Sequence, residues 1–195
     1  MEMIKMVVVL TILSVISGGG LKWLQEFTKP MIEVQELELV KGPAIRDILK
    51  GASNDPVESR FKIQDGEEER TVFVGAFDGE PKVAVLEVSG TGFADKFGLL
   101  VAFDVKEDKL AGISVTTHKE TPGLGAEAKN PVWAAQFKGK PITKECKVTN
   151  DGGDINALSG ATITSRAVCS ATNQAIAKYQ EFKPQLIEKM KSAVK

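Results

Sequence analysis

Small residues and hydroxyls crowd the stretch Ser159-Gly160-Ala161-Thr162-Ile163-Thr164-Ser165, just ahead of a run with helical spacing. A helix start leaves backbone N–H groups unpaired and carries the positive end of the macrodipole, so it stabilises a phosphate. Gly160 and Ala161 remove the bulk that would hold a phosphate off, and a hydroxyl at that point can contact it or be esterified by it. The plainer reading is that Ser159 caps the helix while Thr162 and Thr164 fill its first turn. A second stretch, His118-Lys119-Glu120-Thr121-Pro122-Gly123-Leu124-Gly125, follows a strand-like run and bends sharply. It is either an ordinary Pro-Gly turn or the polar rim of a ligand site.

Other chemistries fail on the residues present. There is no G-x-x-x-x-G-K-[ST], and "GTGFAD" offers Gly90-x-Gly92 without a third glycine or a following helix. Those two glycines predict a flexible turn, although they would also let a planar ligand approach the backbone. A hydrolase triad lacks G-x-S-x-G and any group to orient His118, the single histidine. One histidine also excludes a His-rich metal centre. Cys146 and Cys169 have no Cys-x-x-Cys spacing and are expected to be small buried hydrophobes; their spacing does not tell whether they pair. No acid, base and nucleophile set is evident, so no catalytic or metal-ligating residue is assigned.

The elements that must position these stretches are legible from pattern. Five apolar runs, "RFKI", "TVFVGAF", "KVAVLEV", "LLVAFDV" and "LAGISVTT", are separated by short connectors. Parallel neighbours would need crossovers of a dozen residues or more, so the runs predict an antiparallel meander. A short helix is expected from Pro43 to Gly51 and another at "NPVWAAQFKGK". Residues 161–182 give the strongest helical pattern, with Ile163, Val168, Ala171, Ala175, Ile176 and Tyr179 on one face. A separate amphipathic helix is expected over "KPQLIEKMKSAVK". Strands first and helices afterwards predict an α+β domain.

The first 27 residues differ from the rest. Met6–Ile16 carries no charge, and apolar character continues past three glycines to Trp23, Leu24 and Phe27. A span needs about 20 mostly apolar residues, a length reached if Lys22 snorkels beside Trp23. A retained transmembrane anchor is favoured over a cleaved signal peptide. Residues 28–36 are expected to form a polar linker, Pro30 ending the helix, and residues 37–195 the soluble domain. Lys and Arg number 25 against 26 acidic residues, for a net charge of -1. Nothing in that balance draws the chain to nucleic acid.

Taken together, "HKETPGLG", "SGATITS" and the leading apolar segment resemble the FMN-binding domain found in the G subunit of Rnf electron-transport complexes and in the C subunit of Na+-translocating NADH:quinone oxidoreductases. The order matches as well: anchor, "TKP", "GTGF" turn, Pro-Gly-Leu-Gly turn, then the Ser-Gly-Ala-Thr helix start. The length resembles the Rnf protein more. The resemblance implies an FMN joined by a phosphoester to Thr162, within a motif that includes Ser159, Gly160, Ala161 and Thr164. Glu120, Thr121, Gly123 and Leu124 would then lie along the isoalloxazine ring, with Leu124 packed on it. It further implies an electron-carrier subunit with no turnover in isolation, anchored in lipid of the cell (inner) membrane by one pass, its domain on the outer or periplasmic side. The other subunits of a complex coupling ferredoxin-to-NAD+ electron flow to Na+ or H+ movement are the implied partners, and a flavin transferase is implied for maturation. One departure is that many members carry Asp where this chain has Asn156. The alternatives are a free-standing exported FMN redox or sensor protein and a cofactor-free anchored scaffold domain.

Overall fold

A computed structural model describes residues 2–66 and 68–193; Met1, Glu67 and the last two residues of the expected domains lie outside that range. By internal contacts there are two compact units, one ending at Val40 and one beginning at Lys41.

In the first unit, α1 runs from Glu2 to Glu36. An 18-residue stretch of this N-terminal helical region has mean hydropathy 2.0, and the helix is long and apolar enough to cross a membrane. Trp23 and Phe27, one turn apart, stack with ring centroids 5.6 Å apart. The expected break at Pro30 is absent, and residues 28–36 are helical. Proline removes one N–H from the ladder, and on a helix as exposed as this one the freed carbonyl is open to solvent.

A π-helical turn, Leu37–Lys41, precedes α2, Gly42–Ile48, which has Pro43 in its first turn as expected. Five strands follow in the second unit: β1 Arg60–Asp65, β2 Glu68–Phe77, β3 Glu80–Thr91, β4 Lys96–Asp104 and β5 Lys109–Val115. They pair antiparallel in the order β1-β2-β3-β4-β5, which is the predicted meander. After β5 the chain forms a short helix, α3, Pro131–Ala134, whose Asn130 cap accepts from Val132 N–H at 3.0 Å. The last element is α4, Thr162–Ala193.

The sheet alternates. Val72, Val74, Leu86, Leu99, Val101, Phe103 and Ile113 join the core cluster with Val168, Ala171, Ala175, Tyr179, Phe182, Leu186 and Met190 of α4. Phe103 and Tyr179 stack at 4.4 Å. Phe73, Val85, Leu100 and Ala102 are buried outside that cluster. Ile45 and Leu49 are buried too, and Leu49 occupies the space a Cβ on Gly75 of β2 would fill.

Two expectations about α4 are corrected. It is one helix rather than two, passing through Pro184, because Phe182, Leu186 and Met190 continue the apolar face into the core on both sides of the proline. Ile163 does not belong to that face: it is 54% exposed and lies in the row of Arg166, Ser170 and Gln174. The glycines of "GTGF" serve space rather than flexibility. A Cβ on Gly90 would strike the Phe97 ring at 2.4 Å.

Candidate functional site

Two tight turns, one from each chemistry-bearing stretch, meet at the start of α4. In the first, Leu124 N–H donates to Thr121 C=O at 3.2 Å, with Pro122 and Gly123 between them and Gly123 at φ +72°. In the second, Ala161 N–H donates to Leu158 C=O at 3.1 Å, with Gly160 at φ +71°. Both place glycine third, where a type II turn needs positive φ. The turns touch, since a Cβ on Gly160 would lie 2.9 Å from Leu124 Cδ2.

Glu120 locks this junction from within. It is 6% exposed, and it accepts from the Thr164 hydroxyl at 2.6 Å and from Ala94 N–H at 3.0 Å. Burial opposes its ionisation, but the Thr164 hydroxyl and the N–H groups of Ala94, Asp95 and Phe93 outweigh that, holding the carboxyl below the usual glutamate range. The carboxylate needs room: a Cβ on Gly92 would sit 2.4 Å from Glu120 Oε1, and one on Gly125 2.4 Å from Oε2. One carboxylate thus joins the "GTGF" loop, the Pro-Gly turn and the first turn of α4.

The helix opens at Thr162, but Ser159 does not cap it as expected. Helical residues begin at Thr162, so Ala161 holds the capping position, and Ser159 is an exposed turn residue with no hydrogen-bond partner among the described residues. Ser165 ties the preceding turn to the helix without capping it. Its hydroxyl donates to Ala161 C=O at 3.0 Å and accepts from Leu158 N–H at 2.9 Å. The Ser165 N–H makes the first helical bond, to Ala161 C=O at 3.0 Å. The N–H groups of Thr162, Ile163 and Thr164 precede that bond, which leaves them as donors at the positive end of the helix.

The run-in to the turn is clamped. Trp133 Nε1 donates to Asn156 C=O at 2.8 Å, and Asn156 N–H donates to Gln136 Oε1 at 2.8 Å. Asn156 itself is exposed. Asp154 is engaged with Lys140 at 2.8 Å and Lys144 at 3.2 Å. Arg166 grips Asp151 through both Nε and Nη2 at 2.7 Å.

These elements enclose a cleft of about 440 Å3 lined by Glu120, Thr121, Leu124, Gly125, Gly160, Ala161, Thr162, Thr164, Phe93 and Ile163. That volume lies within the ~300–1,000 Å3 of small-molecule pockets. Of the nine residues singled out in the sequence, seven line it; Ser159 and Gly123 stand in the flanking turns. Thr164 and Glu120 are spent on each other. The half-buried Thr162 hydroxyl has no partner among the described residues. Sequence reasoning left out Phe93, Gly125 and Ile163. An isoleucine out of step with the apolar face of its helix was the available signal for one, and a bare Phe in a glycine turn for another. Phe93 is 71% and Leu124 43% exposed, so the cleft has an apolar lip.

The cleft passes a test of fit for a flavin phosphate. It offers unpaired N–H donors at a helix start, a free hydroxyl beside them, a glycine whose missing Cβ lets Leu124 close over the turn, and apolar side chains for a planar ring.

Comparison with known proteins points the same way. The FMN-binding domain model matches residues 92–177, which contain every residue just described in the cleft. The G subunit of the ion-translocating oxidoreductase complex of Pseudomonas aeruginosa is 29% identical over 95% of this chain and 92% of its own length. Its counterpart in Shewanella loihica is 30% identical over 80% of this chain and 78% of its own. The crystal structure of the C subunit of Na+-translocating NADH-quinone reductase from Parabacteroides distasonis superposes with a TM-score of 0.52 and 28% identity, covering 65% of this chain and 74% of that one. The chain belongs to the FMN-binding-domain family typified by the G subunits of ion-translocating oxidoreductase complexes.

Proposed function

We propose that this chain is a membrane-anchored flavoprotein subunit that relays electrons through an FMN joined by a phosphoester to Thr162. The complex is of the Rnf type, coupling ferredoxin:NAD+ electron transfer to Na+ or H+ translocation. When bound, the flavin supplies one- and two-electron transfer. The observation that carries the reading is the convergence of the two stretches on one cleft in which the Thr162 hydroxyl is unpartnered and stands at the start of α4.

The chain's own residues divide the work. The N–H groups of Thr162, Ile163 and Thr164, with the helix dipole, balance phosphate charge. Leu124, Ile163 and Phe93 give a planar ring apolar contact, and Thr121 offers a hydroxyl to its edge. Glu120 is a positioning residue that keeps the three loops in register. Helix α1 anchors the domain in lipid, on the outer face of the membrane. A flavin transferase is the maturation partner, and the exposed run-in at Asn156 is open to it. The remaining subunits of the complex are the redox partners.

Expression of the full chain with and without a flavin transferase tests this. The denatured chain should fluoresce as flavin in a gel only with the transferase. A dark band in both would leave the cofactor-free scaffold reading standing.

A further inference from the structure

A second reactive pair lies away from the cleft. Cys169 sits on the core face of α4 and is 2% exposed; Cys146, in the irregular segment after α3, is 5% exposed. Asn173, one turn beyond Cys169 on the same helix, brings them together. Its side chain accepts from Cys146 N–H at 2.8 Å and donates to Cys146 C=O at 2.9 Å, so one amide satisfies both backbone groups of that residue. This fixes Cys146 against the turn of α4 that carries Cys169, close enough for each thiol to perturb the ionisation of the other.

The two sulfurs are not equivalent. Cys146 lines a narrow crevice with Lys140, Pro141, Lys144, Glu145 and Asp154, whereas Cys169 lies behind it and is absent from the lining. The neighbouring Cys146 thiol and then burial push the Cys169 thiol up, while the nearby Cys169 thiol holds Cys146 lower. An incoming disulfide therefore meets Cys146 first.

We propose that Cys146 and Cys169 form a reversible disulfide by thiol–disulfide exchange, Cys146 attacking and Cys169 resolving. The Cys146 thiolate attacks one sulfur of a small-molecule disulfide, forming a mixed disulfide and releasing one thiolate. The Cys169 thiolate then attacks Cys146 Sγ and releases the second. Both cysteines lose their protons and together two electrons, and the reagent is reduced to two thiols. The bond would tie the segment leading into the Ser159-Gly160 turn to the body of α4, limiting the freedom of the unfolded chain. Nothing in this depends on flavin attachment.

The test uses the reduced full chain, folded, exposed to oxidised glutathione, then denatured and treated with an alkylating maleimide for intact mass. The expected product has lost two hydrogen atoms, takes no maleimide, regains two alkylation sites with dithiothreitol, and unfolds several degrees higher. Cys169→Ser should trap one glutathione on Cys146, and Cys146→Ser should leave Cys169 unmodified over the same exposure. A wild-type chain that keeps both thiols alkylatable, retains glutathione, or links to a second chain would overturn the proposal. That arm requires no variant to fold.

Discussion

The two ends of α4 are built on opposite terms. From Val168 to Met190 the helix gives the sheet an apolar face, with Tyr179 stacked on Phe103 and Leu186 fully buried. Its first turn gives Thr162, Thr164 and Ser165, carries Ile163 outward, and leans on polar partners: Glu120 for Thr164, the Leu158 N–H for Ser165. At one end, removal of apolar surface from water holds the helix. At the other, the unsatisfied groups of a helix terminus are left available, and a buried carboxylate fixes their position. A binding site needs such a place, where packing ends but geometry does not relax.

If the ends are separable, substitutions should divide cleanly. Thr162→Ala should abolish the denaturation-resistant flavin signal altogether while changing the unfolding free energy of the unmodified domain by no more than about 1 kcal/mol, the scale of a first-turn change. Leu186→Ala should do the reverse, costing ~2–5 kcal/mol in denaturant unfolding through transfer and cavity terms while the surviving folded protein is still flavinylated. A Leu186→Ala chain that folds but takes no flavin would break the comparison.

Glu120→Ala tests the joint between the regions. Loss of the carboxylate leaves the Thr164 hydroxyl and the Ala94 N–H unpaired, for a cost of ~1–3 kcal/mol. Because the folded carboxyl titrates below its ordinary value, its stabilisation is complete above the ordinary glutamate range and is lost as pH falls through the lowered folded value. The stability gap between wild type and Glu120→Ala should therefore narrow in acid, as followed by chemical denaturation at a series of pH values.

The smallest effect is expected from Gly160→Ala. The left-handed φ costs an alanine ~1–2 kcal/mol, and its Cβ displaces the flexible end of Leu124 rather than backbone. Stability should fall by about that amount, with a slower rate of flavin attachment as the cleft deforms.

Much of this was legible in the sequence for definite reasons. The five strands show as apolar runs with connectors too short for crossovers, so the meander follows from connector length alone. Asn130-Pro131 and Pro43 mark helix starts through the fixed φ of proline. The two turns are visible because Pro122-Gly123 and Ser159-Gly160 supply residues that tolerate positive φ. Failures arose where tertiary context overrides local rules. Pro30 and Pro184 look like helix stops, yet one sits on an exposed helix and the other is flanked by residues driven into the core. Ser159 has the side chain of a cap, but the turn it occupies ends one residue before the helix, and Ser165 braces that turn from inside while the first N–H groups stay free. The inward aim of Glu120 left its only trace at Gly92 and Gly125, which are glycines because its carboxylate fills their side-chain space. No local pattern announces the partnership of Asn173 with Cys146, since the residues are distant in sequence.

The most direct measurement is peptide mapping by mass spectrometry of the full chain matured beside a flavin transferase. The peptide containing Thr162 should carry the mass of FMN less one water, with fragment ions localising it to that side chain. The same mass on Ser159, Thr164 or any other residue, or an unmodified peptide from fully matured protein, would contradict the account.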